Sequence, residues 1–266
     1  MRTALITGGN RGIGLEVCKQ LSNLDWQVIL CSRDLQKGQK AAMQLNENVI
    51  VKQLDITSEK SIKNLYQEIN KEYKKLDLLI NNAALGENAY ENPIKQKAKQ
   101  IIKEYFKPIY HLIKKTKPLS KNMNLFVDDI NVSSINIDKV KYIMETNLFG
   151  AWQMINTFQP LLEKSDEAQI INITSGMGTY KELSGLYPAY SISKASLNAL
   201  TVMFSNTFCN KHIRVNAVCP GWVKTDMGGN DAPKTIEEGA ETIVWLANNE
   251  KEITGKLFRE KIIINW

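Results

Sequence analysis

With 266 residues, 43% of them apolar, the chain can build one domain around an ample core. A net charge of +6 and a pI near 9.0 admit a polyanionic ligand, yet no basic-aromatic motif for RNA is present, and no apolar run approaches the ~18 residues of a membrane span. Neither a metal site nor a disulfide framework is expected, because His111 and His212 are isolated and Cys18, Cys31, Cys209 and Cys219 lack Cys-x-x-Cys spacing, so they read as buried free thiols of a reducing compartment.

The first predicted strand, residues 3–7, runs into Gly8-Gly9-Asn10-Arg11-Gly12-Ile13-Gly14. Ile13, Val17 and Leu21 then recur at helical spacing, so the segment reads as strand, tight turn and helix. Such a turn lets backbone N–H groups and the positive end of a helix approach a pyrophosphate. The spacing Gly-x-x-x-Gly-x-Gly differs from the commonest dinucleotide fingerprint, and an ordinary strand-to-helix turn stays open as a reading. A strand starting at residue 3 leaves no room for a targeting segment, and a cytoplasmic location is expected.

The second strand, 27–32, ends in Arg33 where an NAD-selective site carries an acid for the ribose 2′-hydroxyl, although Asp34 comes next. Arg33, with Arg11 as its partner, suits a 2′-phosphate, so NADP(H) is expected over NAD(H); both arginines also fit plain surface cations. Further strands are predicted at 49–54, 76–81, 169–174, 213–219 and 256–260, alternating with helices. Their mostly apolar runs suit a parallel sheet covered on both faces. The expected fold is α/β: a single-domain, Rossmann-like, doubly wound parallel sheet over residues 1–266, with its ligand at the carboxyl ends of the strands.

Between the fourth and fifth strands, residues 86–137 stand out. Nine lysines lie between Lys95 and Lys121, with Glu104 as the single acid, while Ile94, Ala98, Ile101, Ile102, Tyr105, Phe106 and Ile109 keep helical spacing. A helical insertion is expected, ended or kinked at Pro108. It reads either as a solvated decoration or as a flap over a substrate cleft. Further on, Tyr190-Ser-Ile-Ser-Lys194 places a phenol and an ammonium four residues apart, on one helix face. A neighbouring cation favours the phenolate and is expected to lower the tyrosine's ordinary pKa of ~10. A solvated helix face also carries such pairs.

Together these segments resemble the short-chain dehydrogenase/reductase family, collinearly over nearly the whole chain. The matching residues run in order: Thr7 to Gly14; Asp55 in Leu54-Asp55-Ile56; Asn81-Asn82-Ala83-Ala84, where the family's last residue is Gly; Asn147; Ser175; Tyr190 with Lys194; and Pro220-Gly221-Trp222-Val223-Lys224-Thr225. Within the family the look is of the carbonyl reductases, from Asn10-Arg11, Cys31-Ser32-Arg33-Asp34 and the segment Cys219 to Met227. The resemblance implies a catalytic set of Asn147, Ser175, Tyr190 and Lys194. It implies cofactor contacts at Gly8, Asn10, Arg11, Gly12, Ile13, Gly14, Arg33, Asp55, Ile56, Asn82, Ala83, Tyr190, Lys194, Pro220, Gly221, Val223 and Thr225.

Three functions fit this reading. The first is NADPH-dependent reduction of a ketone, aldehyde or quinone, with Ser175 and Tyr190 on the carbonyl oxygen, Tyr190 as general acid, and Asn147 holding a water that links Lys194 to solvent. The second is an oxidative alcohol dehydrogenase or an enone reductase. The third is a non-catalytic NADPH-binding sensor or scaffold, which has no need of all four catalytic residues. Met177, Tyr187 and Trp222, flanked by Tyr180, Leu183 and Met227, are expected to line the substrate side, although core packing would also use some of them. The long interval between Asn81 and Asn147 would crowd the helices through which related enzymes dimerise, so a monomer is expected.

Overall fold

The computed structural model describes residues 1–90, 131–249 and 252–266. Eight strands form one sheet: β1 (Thr3–Thr7), β2 (Gln27–Ser32), β3 (Val49–Gln53), β4 (Leu78–Asn81), β5 (Ala168–Ile173), β6 (Ile213–Val218), β7 (Leu257–Arg259) and β8 (Ile262–Ile264). Their order is β3-β2-β1-β4-β5-β6-β7-β8, and every neighbouring pair is parallel except β7 with β8. The order reverses between β1 and β4, which opens a crevice at their carboxyl ends.

The strands are runs of aliphatic residues because both faces are covered. Every residue of β1, β4 and β5 is buried. The pleat sends alternate side chains to opposite sides. Leu5, Ile29, Leu79, Ile170 and Val215 join one core cluster, and Ala4, Ile6, Leu30, Ile80 and Val218 the other. Full burial of each such side chain stabilises the fold by roughly 1.5–3 kcal/mol.

Helices α1 (Gly12–Ser22), α2 (Leu35–Ala42) and α7 (Ile236–Ala247) supply the second cluster's cover, with Val17, Leu21, Ala42 and Ile243. On the other face lie α3 (Glu59–Glu72), α4 (Ile137–Met144), α5 (Ala151–Leu162) and α6 (Pro188–Thr207). Helix starts follow from local chemistry. Asp34 caps α2 through Lys37 N, Ser58 caps α3 through Ser61 N, and Thr235 forms a capping box with Glu238 on α7. A π-helical turn, Glu145–Gly150, joins α4 to α5.

The doubly wound α/β fold is as expected, with two differences at the margins. Strand ends shift by one or two residues, and a hairpin strand, β8, was not anticipated. Its turn residues Glu260 and Lys261 both adopt positive φ, +53° and +63°, without the Gly or Asn that usually signals such a turn. Of the predicted insertion, 86–90 hold a short 3₁₀ turn (Glu87–Ala89), and Asn131 forms an antiparallel bridge to Leu186. The helix expected around residues 94–109, with Pro108, lies outside the described residues.

Candidate active site

The residues singled out by sequence converge on the crevice between β1, β4 and β5. At its floor the glycine turn and the β4 loop are stitched together. Thr7 Oγ1 accepts from the backbone N–H groups of both Asn82 and Ala83, each at 3.0 Å. The Asn82 amide donates to Thr7 O at 2.9 Å and Gly8 O at 3.1 Å. Glycine is required here because a Cβ on Gly14 would lie 2.4 Å from Asn82 Nδ2, and Gly8 holds φ +67°. Arg11, the residue before α1, makes no side-chain cap, so the N–H groups of the first turn, at Gly12, Ile13 and Gly14, are left for a ligand. Such a turn fits a pyrophosphate.

Farther along the cleft the expected cofactor contacts separate into two kinds. Arg33 and Arg11 are exposed, as an arginine meeting a phosphate at the cleft edge must be, but the Arg11 guanidinium forms an ion pair with Asp226 at 2.6 Å. Asp34 caps α2 through Lys37 N and pairs with the Lys37 ammonium at 3.6 Å. Its carboxyl is held below the usual range, first by the Lys37 N–H bond. Asp55 accepts from Thr57 N and Oγ1, and Ile56 is buried beside it. Pro220 and Gly221, the latter at φ +84°, turn the chain after β6, Val223 is buried, and Thr225 packs 3.4 Å from where a Gly12 Cβ would lie.

The four catalytic candidates meet at the other side of the cleft. Ser175 follows β5 at the start of a 3₁₀ turn (Gly176–Gly178), where its Oγ accepts from Met177 N. Its hydroxyl also stands near enough to the Tyr190 phenol to oppose part of that group's upward pKa shift. A Cβ on Gly178 would lie 2.7 Å from Lys194 C, so the turn packs directly onto α6. Lys194 is buried, donates to Ile173 O at 2.7 Å and sits 5.7 Å from the Tyr190 ring centroid. Asn147, in the π turn, accepts from Leu85 N at 2.7 Å and donates to Leu85 O at 2.9 Å and Ser193 Oγ at 3.0 Å. π turns recur at functional sites. Both Asn147 amide protons are spent on protein, leaving one Oδ1 lone pair for a water.

Electrostatics differ from the expectation in sign. Burial pushes Tyr190 up to about 12, partly offset by the nearby Ser175 hydroxyl, and pushes Lys194 down to about 8. Tyr190 as a whole is half-buried. The ammonium stays protonated at neutral pH but does not outweigh the desolvation of the phenol. The phenol is held as an acid.

On the substrate side, Met177 is half-buried, while Tyr187, Trp222, Tyr180, Leu183 and Met227 are exposed. Trp222 Nε1 donates to Gly228 O, folding the indole along its own loop, and Met227 meets Gly86. The buried pair Glu87 and Lys139 carries no motif of its own, and within the motifs the parts played by Thr7 at the stitched floor and Ser193 behind Asn147 had no signal. Asn81 and Asn172, bonded at 2.9 Å, continue to Thr201 and tie β4 and β5 to α6. Cys18, Cys31 and Cys219 are buried thiols as expected, but Cys209 is exposed. Among the described residues, no helix is long and apolar enough to cross a membrane.

A crevice at a strand-order switch, floored by a glycine turn and walled by Ser, Tyr and Lys, defines a dinucleotide-binding α/β enzyme. The family model described as short chain dehydrogenase matches residues 2–124 and 122–236, and the chain belongs to that family. It is an oxidoreductase. It is 32% identical to the (+)-neomenthol dehydrogenase of Capsicum annuum over 92% of this chain and 91% of that protein. It is likewise 32% identical to human carbonyl reductase [NADPH] 3, over 100% of this chain and 98% of that one. Among solved structures, the salutaridine reductase of Papaver somniferum superposes with a TM-score of 0.76 at 28% identity, covering 97% of this chain and 99% of that one. The NADPH-bound carbonyl reductase from chicken fatty liver also reaches 0.76, at 26% identity, covering 100% and 99%.

Proposed function

We propose that the protein reduces the carbonyl group of a small molecule to an alcohol at the expense of NADPH. The observation that carries this reading is the meeting of Ser175, Tyr190 and a buried Lys194 on one wall of a dinucleotide cleft, with Lys194 bonded to Ile173 O and 5.7 Å from the Tyr190 ring. Relatives named as NADPH carbonyl reductases support the cofactor and the reaction class.

When bound, the nicotinamide supplies a hydride. The residues of the chain do the rest. The N–H groups around Gly12 to Gly14 hold the pyrophosphate, Asp55 and Ile56 flank the adenine, and Arg33 faces the 2′-phosphate. Asn82, Ala83, Pro220, Gly221, Val223 and Thr225 line the nicotinamide end. Ser175 and Tyr190 hydroxyls donate to the substrate oxygen, stabilising the alkoxide as charge develops. Tyr190 then gives up its proton as general acid. Lys194 holds the ribose hydroxyls and, through a water on Asn147, returns a proton from solvent. Burial keeps the proton on Tyr190, the form in which it acts as the acid for reduction. Met177, Tyr187 and Trp222 provide an apolar wall for a bulky or aromatic carbonyl compound. Buried free thiols fit a cytoplasmic enzyme, and the reading includes a monomer, which light scattering tests.

The test is a panel of p-nitrobenzaldehyde, menadione and benzylideneacetone, followed by NADPH absorbance with product analysis. Alcohols are expected, with slower turnover on NADH. Saturated ketone from benzylideneacetone would show an enone reductase. NADPH binding without turnover on any member would leave a cofactor-binding sensor instead.

A further inference from the structure

Glu87 is a buried carboxylate that the reaction described above does not use, and it touches the backbone of the general acid. Helix α6 begins with Pro188, and the residue ahead of it, Tyr187, offers no side-chain cap. Tyr187 instead holds φ +54°, a conformation that bulky residues rarely adopt and that a following proline disfavours further. The first turn of α6 therefore has orphan N–H groups at the site of catalysis. The Tyr190 N–H is satisfied from elsewhere in the chain, by Glu87 Oε2 at 2.8 Å.

That carboxylate lies where three elements meet. Glu87 opens the 3₁₀ turn that follows Leu85, and Leu85 is bonded at both its N–H and C=O to Asn147. Lys139, on α4 just ahead of the π turn, brings its Nζ to 3.2 Å from Glu87 Oε1. That contact is a charge contact and not an aligned hydrogen bond. Both side chains are almost fully buried, 5% exposed for Glu87 and 6% for Lys139. An acid at a helix N-terminus complements the helix dipole, and its buried charge is compensated by the lysine. Ser193, which accepts from Asn147, donates to Tyr190 O and closes the circuit on the far side.

We propose that the Glu87 side chain, its buried charge compensated by Lys139, positions Tyr190 by accepting from its N–H, setting where the first turn of α6 sits relative to the cofactor loop and Asn147. Glu87 is a positioning residue and not a catalytic one: it acts through the Tyr190 backbone and the strained Tyr187 turn. This rests on the reading of Tyr190 as general acid. Losing the acceptor lets residues 185–190 relax and moves the phenol away from the substrate oxygen while the dinucleotide cradle stays in place.

The experiment measures p-nitrobenzaldehyde reduction at saturating NADPH alongside amide hydrogen exchange of the peptide spanning 186–194. Glu87→Ala should lower kcat by ~10- to 100-fold, the scale of a displacement of about 1 Å, with the NADPH Kd within about threefold of wild type. Glu87→Asp, which keeps the charge one methylene short, should fall in the same sense. Glu87→Gln, whose amide oxygen still accepts from the N–H, and the neutral pair Glu87→Gln with Lys139→Met should recover most of kcat. Exchange in 186–194 should quicken in the Ala and Asp variants and not in the Gln ones. Wild-type kcat and exchange in Glu87→Ala and Glu87→Asp would overturn the proposal. So would equal losses in Ala and Gln variants with NADPH binding weakened in parallel. Tyr190→Phe is run beside them: if it turns over normally, the general-acid reading fails whatever Glu87 does, whereas an inactive Tyr190→Phe beside a fully active Glu87→Ala sinks only the positioning role.

Discussion

The two ends of the cleft are built on different principles. At the catalytic end, Lys194, Asn147 and Ser193 are buried and each is bonded to backbone or to another buried side chain. At the phosphate end, Arg11, Arg33 and Asp226 are exposed, and the ion pair there joins side chains that are 71% and 77% accessible. Buried polar groups in low dielectric must be paired, so each fixes the others and geometry is rigid. Exposed pairs cost little to break, so the phosphate end can exchange partners when a ligand arrives. Proton transfer needs the first arrangement. Reversible capture of a cofactor is served by the second.

The comparison breaks most visibly at the phenol. Replacing Tyr190 with Phe should cost ~10³-fold or more in kcat, the scale of a lost general acid, while leaving NADPH affinity close to wild type. Fluorescence titration with NADPH separates the two effects. At the opposite end, Arg33→Ala should weaken NADPH by ~10- to 100-fold, the worth of a charge-assisted hydrogen bond, and leave NADH nearly unchanged. Equal losses on both cofactors would remove Arg33 from 2′-phosphate recognition.

The buried lysine gives a gentler, pH-dependent signature. Its folded value is depressed from 10.5 to about 8, so its charge is present below that pH and lost as pH rises through it. Accordingly kcat/KM for NADPH, which reports groups of the enzyme before binding, should decline above pH 8. Tyr190, pushed up to about 12, stays protonated throughout that range and adds no limb of its own. A profile flat to pH 10 would contradict a charge on Lys194 that is needed for cofactor capture and lost near pH 8. The smallest effect belongs to Asp226→Ala. It frees Arg11 and should tighten NADPH but not NADH by about threefold, with no resolvable change in thermal stability, as befits an exposed pair.

Legibility in the sequence followed the same divide. The glycine turn and the Tyr190–Lys194 pair stand out by residue type and spacing, whereas Asn147 and Ser175 are singled out only through the resemblance to a family. The fold could be read because aliphatic strands alternate with amphipathic helices, and β1, β4 and β5 are buried throughout. Glu87 and Lys139 could not be read, since a carboxylate and an ammonium 52 positions apart carry no local pattern in a chain holding 28 acids and 34 bases. The partner of Arg11 was invisible for the same reason: Asp226 is 215 residues away. β8 was missed because its turn uses Glu260 and Lys261 in left-handed conformations that neither residue advertises. The sign of the Tyr190 shift was misjudged because spacing reveals a neighbouring charge but not the depth at which both groups lie.

One measurement reaches the central claim directly. Benzylideneacetone is turned over with NADPH carrying deuterium on the hydride-donating nicotinamide carbon, and the product is read by NMR. The account predicts an allylic alcohol with deuterium on the former carbonyl carbon. Deuterium at the alkene carbon, or cofactor consumption without label in any product, would contradict it.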